Sequence, residues 1–354
     1  MKIDVVYDQD PHSLPQGFVQ AVENQVNWFD RTFTNPVEFT LHVGYGECRD
    51  VPVINGAQNN YDFHSISYTD LVDALTSNAT SVDEKTAIGT LHRPGLPVGI
   101  NGEATLGADI PDPTHGGNFV IGNVQAAALG LPTSGPIEAW VGFSKADNWA
   151  YDPSNIQAGQ KDFQGAVAHE LTEIMGRHME AGNGSGHGNW YTAMDLFHYS
   201  SPGARDLSPF SGYFSFDGGK TNLGDLNTDP QYDAGDWKPR GDAFDAFLPQ
   251  DEIGKHQPVS HEDMQVMDVL GWHRADPLAT IPPGWIEKAG PFPPFLSNVQ
   301  PLPPDTPVPT PTPSPEGNLA GLLNHQNPAT ELSTHNIPLQ DVVHSVDTIF
   351  LHHA

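Results

Sequence analysis

The chain is poor in three things. It has one cysteine, Cys48, so no intramolecular disulfide can form. It has 15 basic residues against 44 acidic ones, a formal net charge of −29. A surface of that sign repels DNA phosphates and anionic lipid, which argues against nucleic-acid and membrane partners. It also has no apolar run long enough to span a bilayer. The opening Met1-Lys2-Ile3-Asp4-Val5-Val6-Tyr7 reads as a strand rather than a signal peptide. Chemistry-bearing motifs are scarce too. No G-x-S-x-G nucleophile elbow and no phosphate-binding loop occurs. Cys48 follows Gly46-Glu47 at a strand end and is expected to be an inert thiol.

What is abundant is glycine, 35, and proline, 33, in 354 residues, so many loops are expected. Hydrophobic residues at 37% still allow a substantial core. Ile3 to Tyr7 reads as a buried strand. Phe18, Val22, Val26, Phe29 and Phe33 then recur at helical spacing until Asn35-Pro36 stops them. Val37, Phe39, Leu41 and Val43 alternate as a strand does. Strand, helix, strand predicts a mixed α/β layer. Residues 50–64 read as loop. Tyr68, Leu71, Val72 and Leu75 predict a helix, and Ser81 with Glu84 a capped second one. The stretch 94–117 reads as a surface excursion, Phe119–Val124 and Ile137–Phe143 as strands, and Gln164–Arg177 as a helix. Ser260 caps a last helix with Asp263 at its third position, and Gly271 ends it. Residues 1–276 are expected to form one α+β domain. Residues 277–317 read as an extended Pro-rich linker and 318–354 as a tail too short for its own core. The tail histidines His325, His335, His344, His352 and His353 carry no expected role.

One run carries the chemistry: Ala168-His169-Glu170-Leu171-Thr172-Glu173-Ile174-Met175-Gly176-Arg177-His178. It begins as H-E-x-x-H zinc peptidases do, but Glu173 stands where the second histidine would. Residues four apart on a helix share a face, so His169 and Glu173 can ligate one ion. A catalytic zinc needs about three protein ligands and an open position for water. Glu170 holds the place of the general base. Gly176 permits a sharp left-handed turn after the helix. The position for a third ligand, ten after His169, holds Met179. His178 and Glu180 flank it, and His187, Asp195 and His198 follow downstream. A competing reading makes Glu173 and Arg177 a solvated i,i+4 ion pair with no metal. A second cluster, Asp217, Asp225, Asp229, Asp233, Asp236, Asp242 and Asp245, sits among glycines and asparagines and could wrap calcium, although no EF-hand spacing is present.

The run resembles a group of bacterial, mostly secreted, metzincin-like zinc metallopeptidases with the motif H-E-[IL]-[ST]-E-[VI]-M-G-R. Further stretches resemble the same group: Val43-Gly44-Tyr45-Gly46-Glu47, Val141-Gly142-Phe143-Ser144, Met194-Asp195-Leu196-Phe197-His198-Tyr199-Ser200, Tyr213 to Leu223, Gly235-Asp236-Trp237, Asp242-Ala243-Phe244 and Asp268-Val269-Leu270-Gly271-Trp272. Together they cover roughly residues 1–275. The resemblance implies a metzincin-like α+β fold with a mixed sheet and an active-site helix. It implies a secreted, zinc-dependent endopeptidase acting on protein or peptide substrates, with His169 and Glu170 at its centre. Asp195 is the preferred third ligand, ahead of His178, His187 and His198, and Met194 is a candidate Met-turn. Tyr191, Tyr199 or His198 would stabilise the oxyanion. The alternative is a non-catalytic peptidase-like binding module holding a structural metal or none.

Overall fold

A computed structural model describes residues 1–91, 112–181, 189–240 and 244–275. The expected linker, the tail, His187, Asp242 and most of the 94–117 excursion lie outside the described residues. Four strands form the main sheet: β1 (Lys2–Tyr7), β2 (Glu38–Tyr45), β3 (Ala57–Tyr61) and, from further along the chain, the strand Glu138–Phe143. A three-stranded sheet joins β4 (Phe63–Ile66), β5 (Asn118–Gly122) and the short strand Trp190–Tyr191. With Glu138–Phe143 as β6 and Trp190–Tyr191 as β7, the main sheet runs in the order β1-β2-β6-β3 and the second in the order β7-β5-β4. β1, β2 and β6 are parallel, and β3 is antiparallel to β6 at the edge. A third sheet, in the order β9-β8-β10-β11, contains β8 (His198–Ser201), β9 (Ala204–Arg205), β10 (Tyr213–Phe214) and β11 (Gly224–Asp225).

The helices are α1 (Phe18–Thr32), α2 (Tyr68–Asn78), α3 (Val82–Gly89), α4 (Asn123–Ala128), α5 (Phe163–Ile174) and α6 (His261–Val269). The fold is therefore mixed α+β. Two departures from the sequence reading bear on function. Residues 50–64 are not loop, because they contain the edge strand β3 and the start of β4. The Phe119–Val124 segment ends as a strand at Gly122 and turns directly into α4.

Every residue of α5 is buried, so the helix is enclosed rather than amphipathic. Asp162 caps its start by accepting a hydrogen bond from the Gln164 N–H at 3.2 Å. Phe163, in its first turn, packs among Phe18, Phe143, Trp149 and Tyr151 and ties the helix to the main sheet and α1. The far end closes as a Schellman turn. Gly176 N–H donates to the Glu173 carbonyl and Arg177 N–H to that of Thr172, at 2.8 and 2.9 Å. Gly176 has φ +100°, and a Cβ there would come within 2.3 Å of Gln125 Oε1. The left-handed φ is what requires glycine here, and a Cβ would in addition have to displace the Gln125 amide. α6 starts at the expected N-cap Ser260, and Asp263 bonds back to it to complete a capping box.

A candidate metal centre on the buried helix

The helix turn that begins at His169 places His169 and Glu173 side by side. His169 Nε2 lies 3.5 Å from Glu173 Oε1 and 3.7 Å from Asp236 Oδ1. One ligand atom from each of these residues lies within 4.8 Å of the others, and all three side chains are buried. Such a group could hold a metal ion. It is the group of three or more His, Cys, Asp or Glu residues with this convergence among the described residues.

The surroundings fit that use. His169 Nδ1–H donates to the Ala246 carbonyl at 2.8 Å, which turns Nε2 towards the carboxylates. Asn59, from the edge strand β3, donates to Glu170 Oε2 at 2.7 Å and to Glu173 Oε2 at 2.5 Å. One amide thus fixes both glutamates of the motif. Burial pushes Asp236 up to about 7, with Glu173 adding to the effect. Burial, then Glu173, pushes Glu170 up to about 8. Asp233 is also held well above the usual carboxylate range by burial and by Glu173 and Asp236. Burial pulls His169 down, but Asp236 and Glu173 outweigh it and hold its pKa well above the ordinary imidazole value. One imidazolium leaves most of these buried carboxylates unbalanced, and a divalent cation would offset more of their charge.

Arg177 has a different partner from the one its spacing suggested. It is 1% exposed and pairs with Asp263 at 3.3 Å, not with Glu173. Its guanidinium lies 3.5 Å from the Phe247 ring centroid and 5.0 Å from that of Trp237. Phe247 in turn stacks on His169 at 5.3 Å between ring centres. Trp237 Nε1–H donates to Asp263 at 2.6 Å, and Arg177 Nη1 reaches the Gly235 carbonyl at 3.5 Å. The motif arginine therefore grips both neighbours of Asp236 and backs the ring that packs on His169.

Asp195, the preferred third ligand, does other work. Its carboxylate accepts from the backbone N–H groups of Glu180, Ala181 and Thr192 and from the Thr192 hydroxyl, at 3.1, 3.0, 2.6 and 3.0 Å. It pins the strand of chain that follows α5, and Asp236 stands beside His169 and Glu173 instead. Met194 is fully buried in the 3-10 turn Met194–Phe197. His198 Nε2–H donates to the Ser211 carbonyl at 2.6 Å in β8. His178 lies beside Tyr61, whose hydroxyl is 3.0 Å from Nε2. The Tyr199 hydroxyl accepts from Arg205 at 2.8 Å, and Tyr191 packs on Phe119. None of these belongs to the converging group. The acidic cluster also divides. Asp217 and Asp225 are hydrogen-bonded to Thr221 and Asn222, whereas Asp236 joins the His169 centre and Asp233 feels its charges.

No protein-family model matches the chain, and no curated protein or solved structure matches it either. Among the described residues no helix is long and apolar enough to cross a membrane.

Proposed function

We propose that this chain is a metal-dependent hydrolase of peptide bonds, metzincin-like in plan and secreted, with zinc held by His169, Glu173 and Asp236. The observation that carries the reading is the convergence of His169 and Glu173, on one buried helix beside Glu170, with Asp236 from a distant loop. Three protein ligands with a further position open is the count of a catalytic rather than a structural zinc. Zinc, when bound, supplies a Lewis acid and a more acidic water. Two carboxylate ligands make it a weaker acid than a three-histidine site would.

Glu170 is the base. Asn59 holds its Oε2, so Oε1 is the atom that takes the proton from water and passes it to the leaving nitrogen. The cation's charge returns Glu170 towards an ordinary carboxylate pKa, as a base requires. A substrate would lie extended along the outer edge of β3, where backbone groups offer strand pairing beside Asn59. The burial of all three donors favours a second reading, a closed structural metal in a binding module.

Elemental mass spectrometry and a peptide-cleavage assay separate the two. About one zinc per chain is expected, lost in His169→Ala and Asp236→Asn. Glu170→Gln should keep the metal and lose about 10²–10⁴-fold in hydrolysis. Zinc retained with cleavage unchanged in Glu170→Gln removes the base from the proposal. Zinc present without cleavage of any peptide favours the binding module.

A further inference from the structure

Glu170 and Glu173 lie three residues apart on α5, so their carboxylates are neighbours on one face of the helix. Like charges there separate unless a donor stands between them. Asn59 is that donor. Its Nδ2 group reaches Glu170 Oε2 at 2.7 Å and Glu173 Oε2 at 2.5 Å, which uses both amide hydrogens. The two oxygens of Glu173 are thereby set apart. Oε2 is held by the amide, and Oε1 faces His169 Nε2 at 3.5 Å. No neighbouring amide can take the place. Asn59 is in register with Val141 of β6, and Gln58 and Asn60 alternate to the opposite face, where Asn60 accepts from Arg49 at 2.7 Å. A neutral donor also suits the position. A lysine would compete with the ion, and an aspartate would add a further negative charge.

We propose that Asn59 is a positioning residue that limits Glu173 to one ligand oxygen and so keeps a coordination position open beside Glu170. The proposal rests on His169, Glu173 and Asp236 holding an ion, and not on what is hydrolysed. A carboxylate can give a cation one oxygen or two. Zinc takes few ligands, and three come from these side chains. An untethered Glu173 can turn its second oxygen onto the ion and fill the place that water needs. With Oε2 bound to Asn59, that turn breaks a charge-assisted hydrogen bond in a buried site. The other amide hydrogen holds Glu170, so one side chain sets both the open position and the base. Asn59 thus separates a site that can turn over from a closed structural metal.

The test uses the full chain loaded with cobalt(II) and titrated with azide, which enters only a free ligand position and then shifts the visible absorption of the cobalt. The parent should bind about one cobalt per chain and respond saturably to azide. Asn59→Leu, close in size but without donors, should keep the cobalt and bind azide at least about tenfold more weakly. Asn59→Ala removes the same donors with less bulk and should behave alike, with circular dichroism unchanged. Glu173→Gln offers the ion a single carbonyl oxygen. Added to Asn59→Leu, it should therefore recover the azide response at saturating cobalt. Equal azide affinity in the parent and both Asn59 variants, or no response in the cobalt-loaded parent, overturns the proposal. So does a loss that persists in the double variant, or a double variant that takes up no cobalt, since Asn59 would then be merely structural. A peptide-cleavage assay separates this from failure of the hydrolase reading. Cleavage by a parent whose azide response ignores Asn59 leaves the hydrolase standing without this role. An azide response that depends on Asn59 in a chain that cleaves no peptide leaves the role standing without the hydrolase. A parent that binds no metal removes both.

Discussion

At the scale of the residue, Asp236, read from sequence only as one of an acidic cluster, stands beside His169 and Glu173 where Asp195 was expected. Both are buried aspartates, yet one accepts four protein hydrogen bonds and the other faces an imidazole and a glutamate. Their asparagine variants should therefore fail differently. Asp195→Asn should destabilise by about 2–3 kcal/mol, because an amide cannot accept from every donor. Its zinc affinity per folded molecule should hold, as denaturant melts and zinc titration would show. Asp236→Asn should fold as well as the parent, or better without metal, and lose zinc. Arg177→Met should lower zinc affinity about 10–100-fold by releasing the Gly235–Trp237 segment and the ring behind His169, with Arg177→Lys restoring little. Competition against a chromogenic chelator would measure it. His169, Glu170 and Glu173 were legible because their relation is local, one turn of one helix. Asp236 was not, because it is one of seven aspartates in an aperiodic stretch and only folding selects it. Gly235-Asp236-Trp237 stood out solely through the resemblance.

At the scale of the element, the centre is a junction between α5, the edge strand β3 and the loop that carries Asp236. Gly176 sets where the chain leaves the helix. Gly176→Ala should cost more than about 1–2 kcal/mol, since it strains a left-handed residue and drives a methyl into Gln125. A shift in the denaturation midpoint with an unchanged slope would show this, and Gln125→Ala in the same chain should recover part of the loss. Elements that bury one regular face were readable. β1, β2, β6, α1 and α6 all fall within a few residues of their patterns. β3 was unreadable because Ala57-Gln58-Asn59-Asn60-Tyr61 is short and polar. It carries Asn59 towards the glutamates, so the residues that hide its strand character are the ones the site uses.

At the scale of the whole molecule, the buried carboxylates make stability depend on pH and on metal. Without metal, Glu170 moves from 4.5 to about 8 and Asp236 from 3.8 to about 7, mainly through burial. The folded chain then holds protons that the unfolded chain has released, so stability falls as pH rises through that window. His169 acts in the same direction. Its raised value favours the fold below the unfolded value of 6.5 and withdraws that help as pH climbs. Glu173, lowered by His169 in spite of burial, opposes only on the acid side, near and below 4.5. Metal-free protein should melt more than about 5 °C lower at pH 8 than at pH 5. Zinc should cancel or reverse that slope, because it takes the place of the protons. A flat profile in chelator, read by calorimetry, would mean the carboxylates are neutralised by something else.

The distance in sequence between His169 and Asp236 has one more consequence. An ion bound by both closes a long loop, as a disulfide would, in a chain whose single cysteine rules that out. Cation capture then acts as a reversible cross-link formed after synthesis. The segment between the two ligands would be the first to open on chelation, and brief protease treatment in chelator should nick the chain between residues 177 and 236 before it cuts the main sheet. Availability of the ion, more than the rate of folding, would then set how long a newly made chain survives.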